Sequence, residues 1–396
     1  MLLEKHKIYK QFDIKGEIIQ TEVCKIGHIN DTYSATFSHK GEKIRYIHQK
    51  INKSVFHDPV SLMENMVRVT THLRRKLEAA NTPEIDRRCL TLVPSHDGKP
   101  YYCDPEGEYW RTFKFIEGVK SHDAVEKPHQ AFEAAKAFGE FQNLLVDLPG
   151  GRLTDTIPDF HNSRKRFKAL QTAIEKDVVN RAREAKKEID FALRHEAMVD
   201  VILDAMRRKE IPERITHNDT KFNNVMLDEK TGVAMCVVDL DTVMPGCSLY
   251  DFGDMVRSTT SPTKEDELDL SKIDMQMPLF QKLAEGYLST AGQFLNRSER
   301  SHIAFSGKLI TFTIGLRFLT DFLSGDTYFR IHRPNHNLDR CRTQFKLVDS
   351  IIRQEEDMNK VVENLCRDGI TEHVSTCSVS TPLRLFSSGT IPLQCE

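Results

Sequence analysis

The residues most suited to chemistry lie between His217 and Asp239. His217, Asp219 and Asn224 follow the spacing H-x-D-x-x-x-x-N, and Asp239 ends the apolar run that comes after them. An aspartate at the second position can take or orient the proton of a hydroxyl group. An amide oxygen and a further carboxylate are ligands that Mg²⁺ accepts beside substrate phosphates. This combination is typical of phosphoryl transfer, in which catalysis consists mainly of orienting the acceptor and neutralising phosphate charge.

The spacing gives each of these residues a predicted role. Asp219 is the predicted catalytic base, and His217 is predicted to brace the loop beside it. Asn224 and Asp239 are the predicted ligands of Mg²⁺. A His-x-Asp pair alone indicates little, because such pairs occur often in turns. Here residues 225–240 continue as a β-rich run, a polar turn and a second β-rich run, which predicts a hairpin that returns Asp239 towards Asn224.

The elements that must position this site change in character along the chain. From about residue 18 to residue 116, β-branched and aromatic residues alternate with turn residues, which predicts strands. The predicted strands cover residues 32–37, 43–48, 90–93 and 109–116. One helix is predicted to begin at Asp58-Pro59 and to bury a single apolar face. That face consists of Leu62, Met66, Val69, Leu73 and Leu77.

Beyond residue 117, long segments have helical periodicity or strong helix formers. The predicted helices cover residues 124–148, 163–176, 182–209, 275–295, 299–323 and 339–365. A small β-rich lobe at residues 1–116 and a large helical lobe at 117–365 predict an α+β fold with a nucleotide bound in the cleft between two lobes. Residues 366–396 are rich in Ser, Thr and Pro without a sustained period, which predicts a disordered tail.

Composition restricts the possible partners. The chain has 396 residues, of which 39% are hydrophobic, and a formal net charge of −2. This balance predicts neither nucleic acid nor a membrane surface as a partner. Nine cysteines without a C-x-x-C pair indicate a reducing cytoplasm rather than a disulfide framework or a zinc site. The charged start of the chain predicts no export signal, and the apolar residues 302–323, interrupted by charges, are predicted to form a buried helix.

The loop and several other segments resemble a known family. The His-Asn-Asp form of the motif resembles the aminoglycoside and choline kinase-like phosphotransferases, which share the protein-kinase architecture but act on small molecules. More closely, the chain resembles the N-acetylhexosamine 1-kinases. The segments that carry this resemblance are residues 26–33, 217–227, 238–246, 315–321, 325–329 and 337–340. The resemblance implies a monomeric, cytoplasmic kinase that uses ATP and Mg²⁺ to phosphorylate the anomeric hydroxyl of an N-acetylhexosamine.

The resemblance also assigns residues to the nucleotide. Those expected to cover the ATP phosphates are Gly27, His28, Asn30 and Thr32, because a residue without Cβ lets backbone N–H groups approach them. The chain has no full G-x-G-x-x-G at this point. Lys50 is the expected strand lysine, with Glu64 on the next helix as its partner. Gln49 remains an alternative to Lys50, since adjacent strand residues point in opposite directions.

On the acceptor side, the resemblance implies that Arg317 and Tyr328 line a sugar pocket together with Asp219. A guanidinium and a phenol suit a ligand that is rich in hydroxyl and carbonyl oxygens. From the residues alone, Arg317 could equally form a buried ion pair with Asp321, one helical turn later.

Two other aspartates compete with Asp239 for the metal. Strand alternation places Asp241 on the same face as Asp239, so the sequence leaves that choice open. Asp251 opens a D-F-G tripeptide like that of protein kinases, but its position predicts that it caps a helix or ties down the catalytic loop. The functional alternatives are a kinase of the same fold acting on another hexose, choline or an aminoglycoside, and an inactive nucleotide-binding protein.

Overall fold

Strands dominate the first third of the chain and helices the remainder in the computed structural model, which describes residues 7–24 and 29–376, with side chains as far as residue 367. The strands are β1 (Glu17–Cys24), β2 (Asp31–His39), β3 (Glu42–Lys50), β4 (Leu92–Val93), β5 (Tyr102–Cys103), β6 (Tyr109–Lys114), β7 (Val119–Lys120), β8 (Arg214–Thr216), β9 (Val225–Asp228), β10 (Ala234–Val237) and β11 (Met244–Gly246). The helices are α1 (Pro59–Ala79), α2 (Ile85–Arg88), α3 (Pro128–Leu144), α4 (Ser163–Lys176), α5 (Lys186–Arg194), α6 (Val201–Arg207), α7 (Ser248–Thr259), α8 (Met277–Ala291), α9 (Arg297–Ser301), α10 (Ile303–Leu323) and α11 (His336–Thr376).

The amino-terminal strands form one antiparallel sheet in the order β1, β2, β3, β6, β4, and β5 also pairs with β6. Aromatic side chains on one face, among them Tyr33, Phe37 and Trp110, form a small separate core. The opposite face carries Phe113, which joins the main core together with the apolar side of α1. The first face therefore covers a small core of its own, and the second face packs against the main core of the protein.

Helix α1 begins where the sequence predicts. The side chain of Asp58 accepts a hydrogen bond from the backbone N–H of Ser61 at 3.1 Å, and Pro59 occupies the first turn. Such a cap satisfies an N–H group that has no partner within the helix. The predicted apolar face is confirmed, since all five of its residues are buried.

The chain leaves the amino-terminal sheet after β6 and enters the helical part through β7. Val119 in β7 pairs with Asp228 in β9, which belongs to the three-stranded sheet β10-β9-β7. This passage supports our proposed boundary between two lobes after residue 116. The predicted α+β class, with a β-rich part followed by a large helical part, is confirmed.

Helix α10 is the most apolar long segment of the helical part. Among the described residues it alone is long and apolar enough to cross a membrane, but 78% of its most apolar window is buried inside the protein. Its Lys308 forms an ion pair with Glu355 of α11. The prediction of a buried helix at this position is therefore confirmed.

Several predicted helical segments differ from the structure, and residues 299–323 are divided at His302 into α9 and α10. Residues 182–209 were expected to form one helix, but a 3₁₀ turn at Glu196–Asp200 separates α5 from α6. The guanidinium of Arg164 on α4 binds the carboxylates of both Glu196 and Asp200, a tertiary contact that periodicity does not encode. At the other end, α11 extends to Thr376, ten residues past the start of the predicted tail, and residues 377–396 lie outside the described part.

Helices α3 and α8 cross closely because glycine lies at the contact on both sides. A Cβ atom on Gly286 would lie 2.1 Å from the carbonyl oxygen of Phe132, and one on Gly139 would lie 2.4 Å from the hydroxyl of Thr290. Helix α3 also carries Gln142, which donates to Asp251, and Phe138 and Phe141, which contact His217 of the catalytic loop. The spacing of this helix pair therefore bears directly on the site.

We expect Gly286→Ala to lower the free energy of unfolding by about 1 to 3 kcal/mol, because the added methyl group forces the helices apart. Thermal and urea denaturation measure this change. Gln281→Ala, on the exposed side of the same helix, is the matched control and should leave stability nearly unchanged. Equal stability of the two variants would contradict the close packing of α3 and α8.

Candidate active site

The catalytic loop is held by the carboxylate of Asp251 on helix α7. Asp251 is fully buried, and its oxygens accept the backbone N–H groups of His217 at 2.9 Å and Asn218 at 2.7 Å. The side-chain amide of Gln142 donates to the same carboxylate at 2.5 Å. Burial raises the pKa of Asp251 to about 6, although its N–H donors act in the opposite direction. The prediction that Asp251 ties down the catalytic loop is confirmed, and both of its oxygens are already engaged.

His217 braces the loop from within the core and does not face the cleft. Its ring is fully buried and meets Phe138 and Phe141 edge to face. The Nε2–H group donates to the carbonyl of Val238 at 2.9 Å, and Nδ1 accepts the backbone N–H of Asp219 at 3.3 Å. These two bonds require the neutral ring with its proton on Nε2. His217 is therefore a positioning residue that connects the catalytic loop to the end of β10.

Asp219 forms an ion pair with Lys221, a residue that the sequence analysis did not single out. The ammonium group of Lys221 is 2.9 Å from its carboxylate, and the side chain of Asp219 is 22% exposed. Burial raises the pKa of Asp219, but the positive charge and the hydrogen bond of Lys221, together with the charge of Arg257, lower it, so that the pKa lies below its usual value. Asp219 is consequently ionised at neutral pH and able to accept a proton.

The predicted hairpin brings Asn224 and Asp239 together. β9 and β10 pair antiparallel with Val225 opposite Val237, and the N–H of Val238 donates to the carbonyl of Asn224 at 2.9 Å. The amide nitrogen of Asn224 donates to the backbone carbonyl of Asp219 at 2.8 Å. Its Oδ1 accepts no hydrogen bond from the described residues, so this oxygen is available to a cation.

Asp239 and Asp241 have different environments, although strand alternation would make them equivalent. Asp239 has a left-handed backbone with φ of 60°, and a 3₁₀ turn over Leu240–Thr242 follows it in place of a continued strand. The carboxylate of Asp241 is buried and forms an ion pair with both terminal nitrogens of Arg111 on β6. Asp239, in contrast, has no hydrogen bond or ion pair with any described side chain.

The chemistry of Asp239 fits a divalent cation. Asp239 is exposed to solvent, although protein atoms surround much of its carboxylate. This burial, and then the negative charges of Asp241 and Asp219, raise its pKa to about 7. A bound cation would relieve that repulsion. No three His, Cys, Asp or Glu side chains of the described ranges enclose a metal, and a site of one carboxylate and one amide relies on phosphates and water for its other ligands.

The residues assigned to the nucleotide separate into two groups. Gly27 and His28 lie outside the described residues. The side chain of Asn30 is committed to protein contacts, since its amide donates to Asp241 at 2.6 Å and its oxygen accepts the N–H of Asn52 at 3.0 Å. Thr32 accepts a hydrogen bond from Gln49 at 3.1 Å. Contacts between the backbone N–H groups of Asn30 and Thr32 and the ATP phosphates stay a prediction.

Strand register places Gln49, and not Lys50, on the cleft side of the sheet. Thr32, Gln49 and Arg111 lie opposite one another on β2, β3 and β6, and the Nε–H of Arg111 donates to Gln49 at 2.9 Å. Lys50 pairs with Trp110 on the other face and lies 3.8 Å from Glu108. Glu64 is exposed. The Lys50–Glu64 pair is thus absent from the described residues, because alternation turns Lys50 away from Asp241.

Arg317 and Tyr328 are close together, as the resemblance implies. The guanidinium of Arg317 lies 5.3 Å from the ring centre of Phe160, 5.6 Å from that of Tyr328 and 5.3 Å from that of Phe329. One of its nitrogens donates to the hydroxyl of Tyr328 at 3.4 Å. The alternative ion pair with Asp321 does not form. Arg317 has no acidic partner among the described residues, and its charge is stabilised by aromatic faces.

Asp321 instead shapes the segment that carries Tyr328. Its carboxylate accepts the backbone N–H groups of Thr327 at 2.9 Å, Tyr328 at 2.8 Å and Phe329 at 2.9 Å. The side-chain amide of Asn337 completes this set at 2.9 Å. The segment is thereby fixed against the end of α10, where Tyr328 meets Arg317.

A second unpaired arginine lies beside this cluster. Arg166 donates to the backbone carbonyls of Phe160, at 3.0 Å, and Asp159, and to no carboxylate among the residues that the structure describes. Burial and then the charge of Arg317 lower its pKa to about 10. His161, next to Phe160, donates to the carbonyl of Asn218 at 2.8 Å and thus joins this cluster to the catalytic loop.

The sequence analysis missed Arg111 and Arg166. A charged residue inside the aromatic run 109–115 was the available signal for Arg111, whereas nothing in its segment distinguished Arg166.

Comparison with known proteins places this geometry in context. The family described as "Phosphotransferase enzyme family" matches residues 21–284, more than half of the chain. An aminoglycoside phosphotransferase from Alicyclobacillus acidocaldarius superposes with a TM-score of 0.54 at 12% identity, covering 91% of this chain and 95% of that one. An ethanolamine kinase from Plasmodium vivax gives 0.51 at 15% identity, covering 81% and 80%.

A third similar structure is a spectinomycin phosphotransferase in complex with ADP and spectinomycin. It gives a TM-score of 0.52 at 12% identity and covers 90% of this chain and 98% of the other. At these identities the likeness establishes the fold alone. The predicted protein-kinase-like fold with two lobes is therefore confirmed.

We expect Asp251→Asn to slow phosphoryl-transfer turnover by at least about tenfold, since small displacements of a catalytic group are costly. The side-chain NH₂ group of an asparagine would face the N–H donors that now bind the carboxylate, so one of them would lose its acceptor. The free energy of unfolding should therefore also fall by about 2 kcal/mol or more. Turnover assays and thermal denaturation measure the two effects. Asp349→Asn, on the exposed side of α11, is the control. Parental turnover in the Asp251 variant would show that its carboxylate does not position the loop.

Proposed function

The chain belongs to the phosphotransferase enzyme family, and from this premise we propose that it is an ATP-dependent kinase that phosphorylates a hydroxyl group of a small molecule. The observation that carries the proposal is the convergence of Asp219, Asn224 and Asp239 on one loop closed by a hairpin. An inactive nucleotide-binding protein would be expected to have lost at least one of these groups. The cytoplasmic location and monomeric state predicted from the sequence are parts of the same proposal.

The residues of the chain divide the reaction between them. Asp219 orients the acceptor hydroxyl and takes its proton, which its lowered pKa allows. Lys221 places a positive charge beside the base, where the transferred group carries negative charge. Asn224 and Asp239 would hold Mg²⁺, which supplies charge neutralisation at the phosphates of ATP. His217 and Asp251 keep the loop in place throughout.

The acceptor that the pocket favours is rich in neutral oxygen groups. Arg166 and Arg317 are near each other, and neither forms an ion pair with a carboxylate in the described part of the chain. A cationic acceptor such as choline, ethanolamine or an aminoglycoside would therefore meet unfavourable charge there. Guanidinium N–H groups and aromatic faces suit the hydroxyl and amide oxygens of a sugar. Together with the sequence segments that resemble N-acetylhexosamine 1-kinases, this supports an N-acetylhexosamine as acceptor and its anomeric hydroxyl as the site of transfer.

The test of this proposal offers Mg-ATP with a panel of N-acetylhexosamines, other hexoses, choline and aminoglycosides. We expect an N-acetylhexosamine to be the best substrate, with loss of its reducing end and the appearance of a sugar 1-phosphate in the ³¹P NMR spectrum. A product that keeps its reducing end would reject anomeric transfer. Turnover of choline alone would reject the sugar.

We expect Asp219→Asn to lower kcat by roughly 10²- to 10⁴-fold, because it removes the proton acceptor. Binding of MgATP, measured by isothermal titration calorimetry, should change far less, since the proposed metal ligands remain. Asp349→Asn serves again as the surface control. Full turnover of the Asp219 variant would remove this residue as the base.

We expect Arg317→Met to raise the KM of the acceptor by roughly 10- to 100-fold, the effect of losing hydrogen bonds to a charged donor. The KM of MgATP should stay close to the parental value, because Arg317 lies on the acceptor side of the loop. Steady-state kinetics with each substrate varied in turn measures both constants. An equal rise in the two constants would point to a general loss of structure instead.

A further inference from the structure

A buried cation of the amino-terminal sheet is joined to the turn that carries the proposed metal ligand. The side chain of Arg111 on β6 is 1% exposed and that of Asp241 is 3% exposed. Both terminal nitrogens of the guanidinium reach the carboxylate, in the bidentate arrangement that fixes orientation as well as charge. Removal of water from two charges is costly, so such a pair is weak evidence for added stability and invites another explanation.

The remaining surroundings of Arg111 hold its guanidinium in a single direction. Its Nε–H donates to Gln49 at 2.9 Å, and Gln49 in turn donates to Thr32 at 3.1 Å. Helix α1 presents two methionine sulfurs to the guanidinium, from Met63 at 4.0 Å and Met66 at 3.9 Å. No carboxylate of α1 reaches it among the described residues, so Asp241 is the only acid there with which Arg111 forms an ion pair.

Asp241 also contacts the segment that precedes β2. The amide of Asn30 donates to its carboxylate at 2.6 Å, and the oxygen of Asn30 accepts the N–H of Asn52 at 3.0 Å. Asn30 lies two residues after His28 and three after Gly27, the residues expected at the ATP phosphates. One carboxylate is therefore shared between the sheet, through Arg111, and the start of β2, through Asn30.

Asp241 and Asp239 belong to one short turn that is anchored on its other side as well. The hydroxyl of Thr242 donates to the backbone carbonyl of His217 at 2.7 Å. A displacement of Asp241 would thus move Asp239 relative to the catalytic loop.

We propose that Arg111 is the positioning residue that fixes the metal-binding turn, in place of a strand lysine paired with a helix glutamate. The chain of contacts Asn30–Asp241–Arg111–Gln49 couples the nucleotide side of the cleft to Asp239. This inference rests on the proposed function, because it concerns the binding of a magnesium nucleotide. Its consequence is that loss of Arg111 weakens MgADP and MgATP while it leaves the acceptor site intact.

The test uses Arg111→Met, which keeps the length of the side chain and suits the neighbouring methionines. We expect the Kd of MgADP, measured by calorimetry without turnover, to rise at least about tenfold, as is typical when a residue that orients a metal ligand is lost. The KM of MgATP should rise in parallel, and the KM of the acceptor should change less than about twofold. Arg111→Lys restores the charge but not the bidentate contact, and we expect it to recover part of the nucleotide affinity.

Two further variants separate positioning from stability. Arg87→Met breaks another ion pair of the amino-terminal part with the catalytic hairpin, that of Arg87 with Asp228 at 2.6 Å, and should leave the Kd of MgADP unchanged. The double variant Arg111→Met/Asp241→Leu removes both charges, so its thermal stability should return towards the parental value. We expect its MgADP affinity to remain weak, because the turn has lost its anchor.

The results that overturn the inference differ from the result that rejects the proposed function. The inference is overturned if Arg111→Met binds MgADP as the Arg87 variant does, or if the double variant regains both stability and nucleotide affinity. If Arg111→Met does not fold, the double variant decides by the same criterion. A parental protein that binds no MgADP and phosphorylates no acceptor would instead reject the proposed function itself.

Discussion

The buried carboxylate of Asp251 is the constraint on which the rest of the site depends. It accepts N–H groups from two consecutive residues of the catalytic loop and the amide of Gln142. Gln142 accepts the hydroxyl of Tyr287 at 2.6 Å, so the loop is tied at once to α7, α3 and α8. Burial opposes the charge of this carboxylate, and the three donors make the charge tolerable. The close crossing of α3 and α8 therefore affects the position of Asp219.

Each carboxylate near the cleft is stabilised by a different kind of partner. Asp251 has N–H donors, Asp219 has the ammonium of Lys221, and Asp241 has the guanidinium of Arg111. Asp239 has none of these among the described residues, and its pKa is raised accordingly. Like charges in a confined space are costly unless something compensates them. The arrangement leaves one carboxylate for an added cation, which is how a magnesium nucleotide would complete the site.

On the proposed acceptor side, one aspartate and two arginines have different partners. Asp321 could have neutralised Arg317 one helical turn away, but it binds three backbone N–H groups of the segment that carries Tyr328. Arg317 is left with aromatic faces and a phenol hydroxyl, and Arg166 forms no ion pair with a carboxylate of the described residues. Under the proposed function, the guanidinium groups of both arginines favour an acceptor that is rich in oxygen atoms over a cationic one.

The sequence by itself determined the local features: the catalytic spacing, the hairpin, the capped start of α1 and the buried nature of α10. These depend on nearest neighbours, periodicity and capping, which short segments contain. Only the tertiary structure decided which acid remains free for a metal, because the left-handed backbone at Asp239 ends the alternation that made Asp241 its equal. It also decided that Arg111, and not Lys50, lies on the face of the sheet that meets Asp241. This follows from strand register and from a partner 130 residues away in the sequence. Contacts between distant segments arise from packing, and no pattern within either segment records them.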